Sequence, residues 1–535
     1  MIDFLFITSP TNARNPHPPY YFMALAAYLR EKGLKVQIID PKGGDRPKDI
    51  EKYIDLIRFS LKMTKARFVG LAAFHSDYPM MMRLGKLVKE IQPDAILLVG
   101  NAHATINPED FIYEGSPFDI AVLGEGEETC WRLWEQKRDV KDDYWPLGNV
   151  KGIAYAEQNE GDYPATYHLV KTKPRPFMDL HNLPMPAYDL VDMGYYLKPQ
   201  KLVIRRIYTS MMPIFAGRGC PYAGNSCDFC AANAVWKANT GKAARLRPVK
   251  NVIDEIWHLW VYYKIDFFYM FDDTFGMSKE WMKEWFDCYQ SFGLNIPYAC
   301  QTRANLIDEE MIKGLKETGC IQIDIGVETC SQSLLDRIHK QITVQQVQQA
   351  VTLCRKYQLR YFFTMLLNLP GETTTDLQMT YNGLKKLKPN GVIFGITTPY
   401  PGTKIYSDHC HPALRRDEYS LLIGNRLDPI ERFRMAEHKL NLERLWDKWN
   451  RHFRSTPMLE RMWPSQPLYW KALLKSKRKK QYIWCWLKDL PKTFIIYWLH
   501  VLRLYRPLKG LGHRKEEKAC LAPCLTPKKE DLRRI

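Results

Sequence analysis

Short apolar runs alternate with amphipathic stretches along most of this chain. The first series is Asp3-Phe4-Leu5-Phe6-Ile7, Lys35–Asp40, Phe68–Ala73, Ala95–Gly100 and Ile120–Leu123, each bounded by turn residues. A helix is predicted from Tyr20 to Lys32, stopped by Gly33. Continuous apolar strands alternating with helices predict a parallel, doubly wound, Rossmann-like sheet over residues 1–150. Such sheets bind ligands beyond the carboxyl ends of their strands. The candidate loops there are Thr8–Pro19, Phe74–Asp77, Asn101–Thr105 and Gly124–Glu127. No Gly-x-Gly-x-x-Gly opens the first helix, so ordinary dinucleotide binding is not expected.

The alternation breaks over 151–207, where Pro174, Pro176, Pro184 and Pro186 suit a linker. It resumes over 208–410 with six runs, at Ile214–Ala216, Phe267–Phe271, Tyr298–Arg303, Ile321–Glu328, Arg360–Met365 and Gly391–Ile396. Six strands predict an open, partial (β/α)6 barrel. Polar residues recur where those strands end: Asp272, Asp273, Gln301, Arg303, Glu328 and Glu372. In barrel enzymes that rim holds the chemistry. From Pro412 the pattern reads as helical, over 411–470, with Asp417–Trp449 the clearest stretch; 471–535 is a separate tail. The fold class is therefore α/β with a mostly helical C-terminal region.

Charge changes the picture little. The net +18 is concentrated in the tail, where Lys471–Ile535 holds 18 Lys/Arg against 5 Asp/Glu. No nucleic-acid motif accompanies that charge, and no specific nucleic-acid partner is expected. The N-terminus lacks a basic n-region and a cleavage site, which points to a cytoplasmic chain. Thirteen cysteines then face a reducing compartment, where metal binding or catalysis outranks disulfides. Cys288, Cys300, Cys320 and Cys354 sit in apolar periodic surroundings and read as core residues, and Cys520 with Cys524 as incidental.

Cys220, Cys227 and Cys230 are different. They share one glycine-containing loop, with no fourth cysteine or histidine nearby; the next histidine, His258, falls in a predicted helix. A zinc knuckle would want a fourth ligand at short spacing. Three thiolates can instead hold three irons of a cubane cluster and leave the fourth iron open.

The cysteine loop and six strands together resemble the cobalamin-binding subfamily of radical S-adenosylmethionine enzymes, over about residues 1–410. The likeness includes Phe229, Phe271-Asp272-Asp273-Thr274-Phe275, Gly326-Val327-Glu328-Thr329, Leu369-Pro370-Gly371-Glu372-Thr373 and Pro399–Thr403. Upstream it includes Gly100–Thr105 and Leu123–Glu128. Two departures stand out. The family spaces its cysteines Cys-x3-Cys-x2-Cys, whereas the first interval here holds six residues, with Ala223-Gly224-Asn225 read as an insertion that loops out. The Asp-x-His-x-x-Gly motif that ligates cobalt through histidine is absent.

The resemblance implies a 4Fe–4S cluster on Cys220, Cys227 and Cys230, with S-adenosylmethionine on its open iron. It implies Phe229 near the adenine, Asp272 and Asp273 at the methionine amino group, and Gln301, Arg303 and Glu328 at ribose or carboxylate. It implies cobalamin over Asn101, His103, Gly124 and Glu125, with His103 near the corrin rather than on cobalt. The expected enzyme is oxygen-sensitive and cleaves S-adenosylmethionine reductively to a 5′-deoxyadenosyl radical. Methyl transfer to an unactivated carbon of a small molecule, hydrophobic if the tail attaches to a membrane, is favoured. The alternatives are oxidative cyclisation or rearrangement without methyl transfer, and a non-catalytic cobalamin or cluster sensor. A flavodoxin- or ferredoxin-like reductant and a monomer complete the expectation.

In the tail, Lys475-Ser476-Lys477-Arg478-Lys479-Lys480 precedes Tyr482–Leu487 and Phe494–Leu502. Basic residues beside Trp, Tyr and Ile suit a helix in a membrane interface, over 471–510 at the inner face of the membrane. The apolar runs are too short to span a bilayer. A helix packed on the barrel with a solvated basic face is the other reading.

Overall fold

A computed structural model describes residues 1–9, 17–41, 50–139, 145–159, 166–200, 207–224, 227–422, 430–453 and 467–501. Two sheets organise them. The first contains β1 (Ile2–Ile7), β2 (Val36–Ile39), β3 (Ala66–Ala72), β4 (Ile96–Gly100), β5 (Ile120–Val122), β6 (Ile153–Gln158) and β7 (Tyr167–Lys171). Its order is β2-β1-β3-β4-β5-β6-β7. The first five strands are parallel, while β6 and β7 join antiparallel. The loop expected at Thr8–Pro19 falls largely outside the described residues.

Helices α1 (Tyr20–Glu31), α2 (Ile50–Met63), α3 (Tyr78–Ile91), α4 (Asn101–Ile106) and α5 (Glu127–Asp139) connect the parallel strands or follow them. The β-strand rows are buried on both faces, as the continuous apolar runs require: Leu5, Ile7 and Val69 face one core, Phe4, Phe6 and Phe68 the other. The segment read as a linker thus supplies two strands of this sheet. β7 is mostly exposed, and an edge strand need not carry an apolar run.

The second sheet is parallel throughout: β8 (Met211–Ile214), β9 (Phe267–Met270), β10 (Tyr298–Thr302), β11 (Cys320–Glu328), β12 (Arg360–Leu367) and β13 (Gly391–Ile396), adjacent in chain order. It is the six-stranded open barrel that the pattern predicts. Phe268 and Tyr298 stack at 4.8 Å on neighbouring strands, with Trp285 of the following helix edge-on to both. Each such fully buried aromatic contributes roughly 1.5–3 kcal/mol of burial free energy. Outer helices α6 (Val249–Tyr263), α7 (Lys279–Ser291), α8 (Glu309–Glu317), α9 (Gln332–Arg337), α10 (Val344–Lys356) and α11 (Thr374–Leu387) follow its strands, and capping boxes at Thr343/Gln346 and Thr373/Asp376 start the last two.

The C-terminal region departs from the expected helix. Between Asp417 and Trp449 the described residues hold short 3-10 turns at Arg416–Leu421 and Ile430–Phe433, then an extended stretch, and the helix α12 (Leu442–Phe453) starts only at Leu442. The barrel residues Asn368 and Glu372, one through its side chain and the other through its backbone carbonyl, explain this. Asn368 Oδ1 accepts from Met435 N at 2.9 Å and Ala436 N at 3.2 Å. The Glu372 carbonyl accepts from Glu437 N and His438 N. Backbone donors captured this way are lost to helix formation.

Two last helices, α13 (Pro467–Lys475) and α14 (Lys479–Val501), close the amino-terminal end of the barrel. The Tyr482 hydroxyl accepts from Ser210 N at 2.6 Å and donates to Asp266 at 3.1 Å, and Ser476 donates to Asp266 at 2.8 Å.

Candidate active site

The carboxyl ends of the two sheets share one cavity of about 360 Å³. From the first sheet it is lined by Gly70–Ala72, Gly100, Asn101, Val122 and Gly124–Glu127, and from the barrel by Phe215, Arg218, Trp236 and Asp273. A larger, more open groove of about 740 Å³ meets it at Glu125 and Leu183–Pro184, but carries none of the barrel's strand-end residues.

The cysteine loop leaves β8 through Gly217 and Gly219. A Cβ on Gly219, which has φ +80°, would lie 2.3 Å from the Ala243 carbonyl, so only glycine fits there. Cys227 has φ +57° and donates its N–H to the His339 carbonyl at 2.9 Å, and Asp228 donates to Ile338 at 3.1 Å. Two further groups aim at sulfur: Thr274 Oγ1 reaches Cys220 Sγ at 3.3 Å, and Arg303 Nη1 reaches Cys227 Sγ at 3.4 Å. Gly224, within the extra residues of the first interval, has φ +90° and open space around it, as a looped-out insertion requires; Asn225 lies outside the described residues.

Among the described residues no three His, Cys, Asp or Glu side chains converge on a single ion. Cluster thiolates sit on separate irons and stand farther apart than the ligands of one ion. Burial and the neighbouring Cys227 push the Cys230 thiol up to about 11. A bound iron centre would offset that penalty and hold the thiolate.

Five of the six rim residues lie about this loop, whereas Glu372 accepts from Asn368 N at 2.8 Å and stands 3.3 Å from His438, against the C-terminal region. Asp272 is buried; its Oδ1 accepts from Gly217 N at 2.6 Å, while Oδ2 has no partner. Burial pushes this carboxyl up to about 7 against the backbone donors of Gly217 and Ala216. Asp273 accepts from Trp236 Nε1 at 3.2 Å and faces the cavity. Gln301 Nε2 donates to the Asp272 carbonyl at 2.6 Å. Arg303 lies 3.9 Å above the Tyr222 ring and donates to the Lys340 carbonyl. Glu328, at φ +67°, accepts from Lys340 Nζ at 2.6 Å, and that ammonium stands 5.8 Å from the Phe229 ring.

On the other side, Asn101 (φ +74°) and Gly124 (φ +73°) line the cavity. A Cβ on Gly124 would meet Asn239 Oδ1 at 2.0 Å, and one on Gly126 would meet Leu25 at 3.2 Å. Glu125 borders the cavity, yet its carboxylate is bound to Arg218 at 3.0 Å and Arg245 at 2.8 Å. Burial works to raise it, but the two guanidiniums hold it below the usual carboxylate range. Arg218 also reaches Glu127 at 2.5 Å.

His103 corrects the sequence expectation. It is fully buried, 2.8 Å from Asp110 and stacked 4.1 Å from His75, and does not line the cavity. Phe111 and Tyr419 close over it. It is a core residue between the first sheet and the C-terminal region. Arg218, Arg245, Trp236 and Lys340 were missed as site residues. Arg218 alone carried a signal, being directly ahead of Gly219-Cys220.

Two family profiles match in this order along the chain: the B12 binding domain over residues 11–133 and the Radical SAM superfamily over 214–384. An uncharacterized methyltransferase of Pyrococcus horikoshii is 30% identical over 391 residues, covering 73% of this chain and 78% of its own. The chain belongs to the cobalamin-binding radical S-adenosylmethionine enzymes. The anaerobic magnesium-protoporphyrin IX monomethyl ester cyclase of Rubrivivax gelatinosus is 26% identical over 402 residues, covering 73% of the enzyme and 66% of the relative. The fold is like that of the radical S-adenosylmethionine methyltransferase TsrM from Kitasatospora setae, solved with cobalamin and a 4Fe–4S cluster, at TM-score 0.60, 15% identity, and 77% and 78% coverage. The enzyme's cofactors are accordingly a 4Fe–4S cluster, S-adenosylmethionine and cobalamin. No described helix is long and apolar enough to cross a membrane.

Proposed function

We propose that the enzyme methylates a carbon of a small-molecule substrate held in the cavity between the two sheets. The observation that carries this reading is the shared cavity itself, where glycine loops of the B12-binding half face the barrel rim. When bound, the cluster supplies the electron that cleaves S-adenosylmethionine and the corrinoid carries the methyl group.

The chain's own residues do the rest. Cys220, Cys227 and Cys230 would hold three irons. The unpaired Oδ2 of Asp272 is the acceptor for an ammonium, and Asp273 offers a second carboxylate beside it. Arg303 and Thr274 donate toward the sulfurs of Cys227 and Cys220 and fix where they point. Phe215, Phe22 and Trp236 give the cavity apolar walls that exclude water and would orient a hydrophobic substrate. Asn101, Gly124 and Gly126 would lie against the corrinoid. Arg218 joins the two halves by pairing the loop before Cys220 with Glu125 and Glu127.

In this reading the enzyme is a cytoplasmic monomer. Its partners are a small-molecule substrate, a one-electron reductant of flavodoxin or ferredoxin type, and a membrane surface met through the tail. Anaerobic turnover with S-adenosylmethionine labelled on its methyl group tests the reaction. Label in the product, with both S-adenosylhomocysteine and 5′-deoxyadenosine formed, is expected. Formation of 5′-deoxyadenosine alone would instead favour ring closure or rearrangement, the reaction type that the cyclase relative's name indicates.

A further inference from the structure

Over its first thirteen residues, Lys479 to Pro491, helix α14 (Lys479–Val501) carries two separate apolar sides. Its inner side is Tyr482, Cys485 and Trp486, directed at the amino-terminal end of the barrel: Tyr482 bonds Ser210 and Asp266, and Trp486 meets Trp470 at 5.1 Å. Its outer side, at helical spacing, is Ile483, Trp484, Leu487 and Leu490, with exposures of 51%, 68%, 56% and 41%. Leu474 of α13 is also exposed, at 65%. A helix packed on a soluble body normally turns a polar side to water. A row of large apolar side chains there marks an interaction surface.

We propose that this outer stripe docks on an anionic lipid surface, with α14 lying in the interface plane. Lysines fix the chemistry of the partner. Lys475, Lys477, Lys479, Lys480 and Lys488 are exposed around the stripe, so the apolar row is framed by positive charge. Tryptophan beside lysine suits the headgroup boundary, where an indole is half wet and an ammonium meets phosphate. A second copy of the chain fits less well, because a two-fold contact would press the same lysines against each other.

The docking also fixes an orientation. α14 sits on Ser210 and Asp266, which precede β8 and β9, whereas the cysteine loop and Asp272 follow those strands. The lipid-facing end is therefore the end away from the active-site cavity. Membrane contact and a hydrophobic substrate are therefore independent questions. The inference stands apart from methyl transfer.

The test is flotation of the full-length holoenzyme with vesicles of phosphatidylcholine alone or mixed with phosphatidylglycerol. The unaltered enzyme should float with the anionic vesicles and release at high salt. A Trp484→Glu/Leu487→Glu variant should lose at least about tenfold in vesicle affinity, equivalent to about 1.4 kcal/mol. Both side chains are exposed, so its melting temperature should hold. A Trp484→Phe variant gives a second reading, through reduced quenching of tryptophan emission by brominated lipid. Absence of flotation by the unaltered enzyme would overturn the proposal. So would equal flotation of the variant, or a dimer in light scattering that the double variant splits.

Discussion

Two aspartates flank the same barrel strand and meet opposite fates. Asp266 stands just before β9 and Asp272 just beyond its end; both are buried, and burial raises both carboxyls. At the amino-terminal end, Ser476, in the turn between the last two described helices, and Tyr482 donate to Asp266. At the carboxyl end, Asp272 receives Gly217 N on one oxygen and nothing on the other. A buried acceptor left open costs about 1–3 kcal/mol, and such a cost is tolerated where a ligand completes the site. The contrast separates a carboxylate that stabilises the fold from one that awaits a positively charged partner.

The largest effect should come from removing the three cysteines proposed to hold the cluster. Replacing Cys220, Cys227 and Cys230 together with Ala should abolish the cluster's visible absorption and reduce 5′-deoxyadenosine formation to background, measured after anaerobic reconstitution. Next, Arg218→Ala would strip buried Glu127 of its cation and leave Glu125 with Arg245 alone, a loss of up to about 3 kcal/mol. Chemical denaturation should register it, and Arg218→Lys should recover part. Asp272→Asn should raise the KM for S-adenosylmethionine about 10- to 100-fold, the worth of a charged hydrogen bond of about 1.5–3 kcal/mol. Equal kinetics in that variant would erase the distinction from Asp266. Smallest, Tyr482→Phe should cost about 1 kcal/mol of stability and leave S-adenosylmethionine cleavage unchanged.

The same pair makes a pH prediction. An unfolded aspartate titrates near about 3.9, whereas the folded Asp272 carboxyl stands at about 7. Because the folded value is the higher, the folded state binds more protons between these values. This residue's contribution to stability therefore falls as pH rises from about 4 to about 7 and levels off above. Melting temperatures measured across that window should decline more steeply for the unaltered enzyme than for Asp272→Asn. Saturating the cluster-loaded enzyme with S-adenosylmethionine should remove the difference, because a bound ammonium favours the carboxylate.

The elements that the sequence made legible were those with strong periodicity. All but one of the parallel strands fall on the apolar runs, because burial on both faces forces continuous Val, Ile, Leu and Phe; β8 (Met211–Ile214) instead precedes the Ile214–Ala216 run and shares only Ile214 with it. The cysteine loop was equally readable, since three thiols at close spacing have few other uses. What stayed hidden depends on distant partners. The Arg218–Glu125 and Arg245–Glu125 pairs join residues 93 and 120 positions apart. His103 looked like a loop histidine because its packing against His75 and Tyr419 comes from outside its own motif. The stretch before Leu442 carries helix-forming residues, yet Asn368 and Glu372 take its backbone donors.

That capture bears on how the protein is made. Cys410, Leu414, Tyr419, Leu422 and Phe433 complete the core of the first sheet, while Leu442 and Trp449 complete that of the barrel. The amino-terminal half therefore emerges from the ribosome with part of its hydrophobic surface bare, waiting for residues synthesised some 300 positions later. A nascent chain halted before residue 410 should be a substrate for chaperones and proteases rather than a free-standing cobalamin carrier. The two halves are inherited as one unit of synthesis, and grafting either onto another protein would require carrying this stitch along.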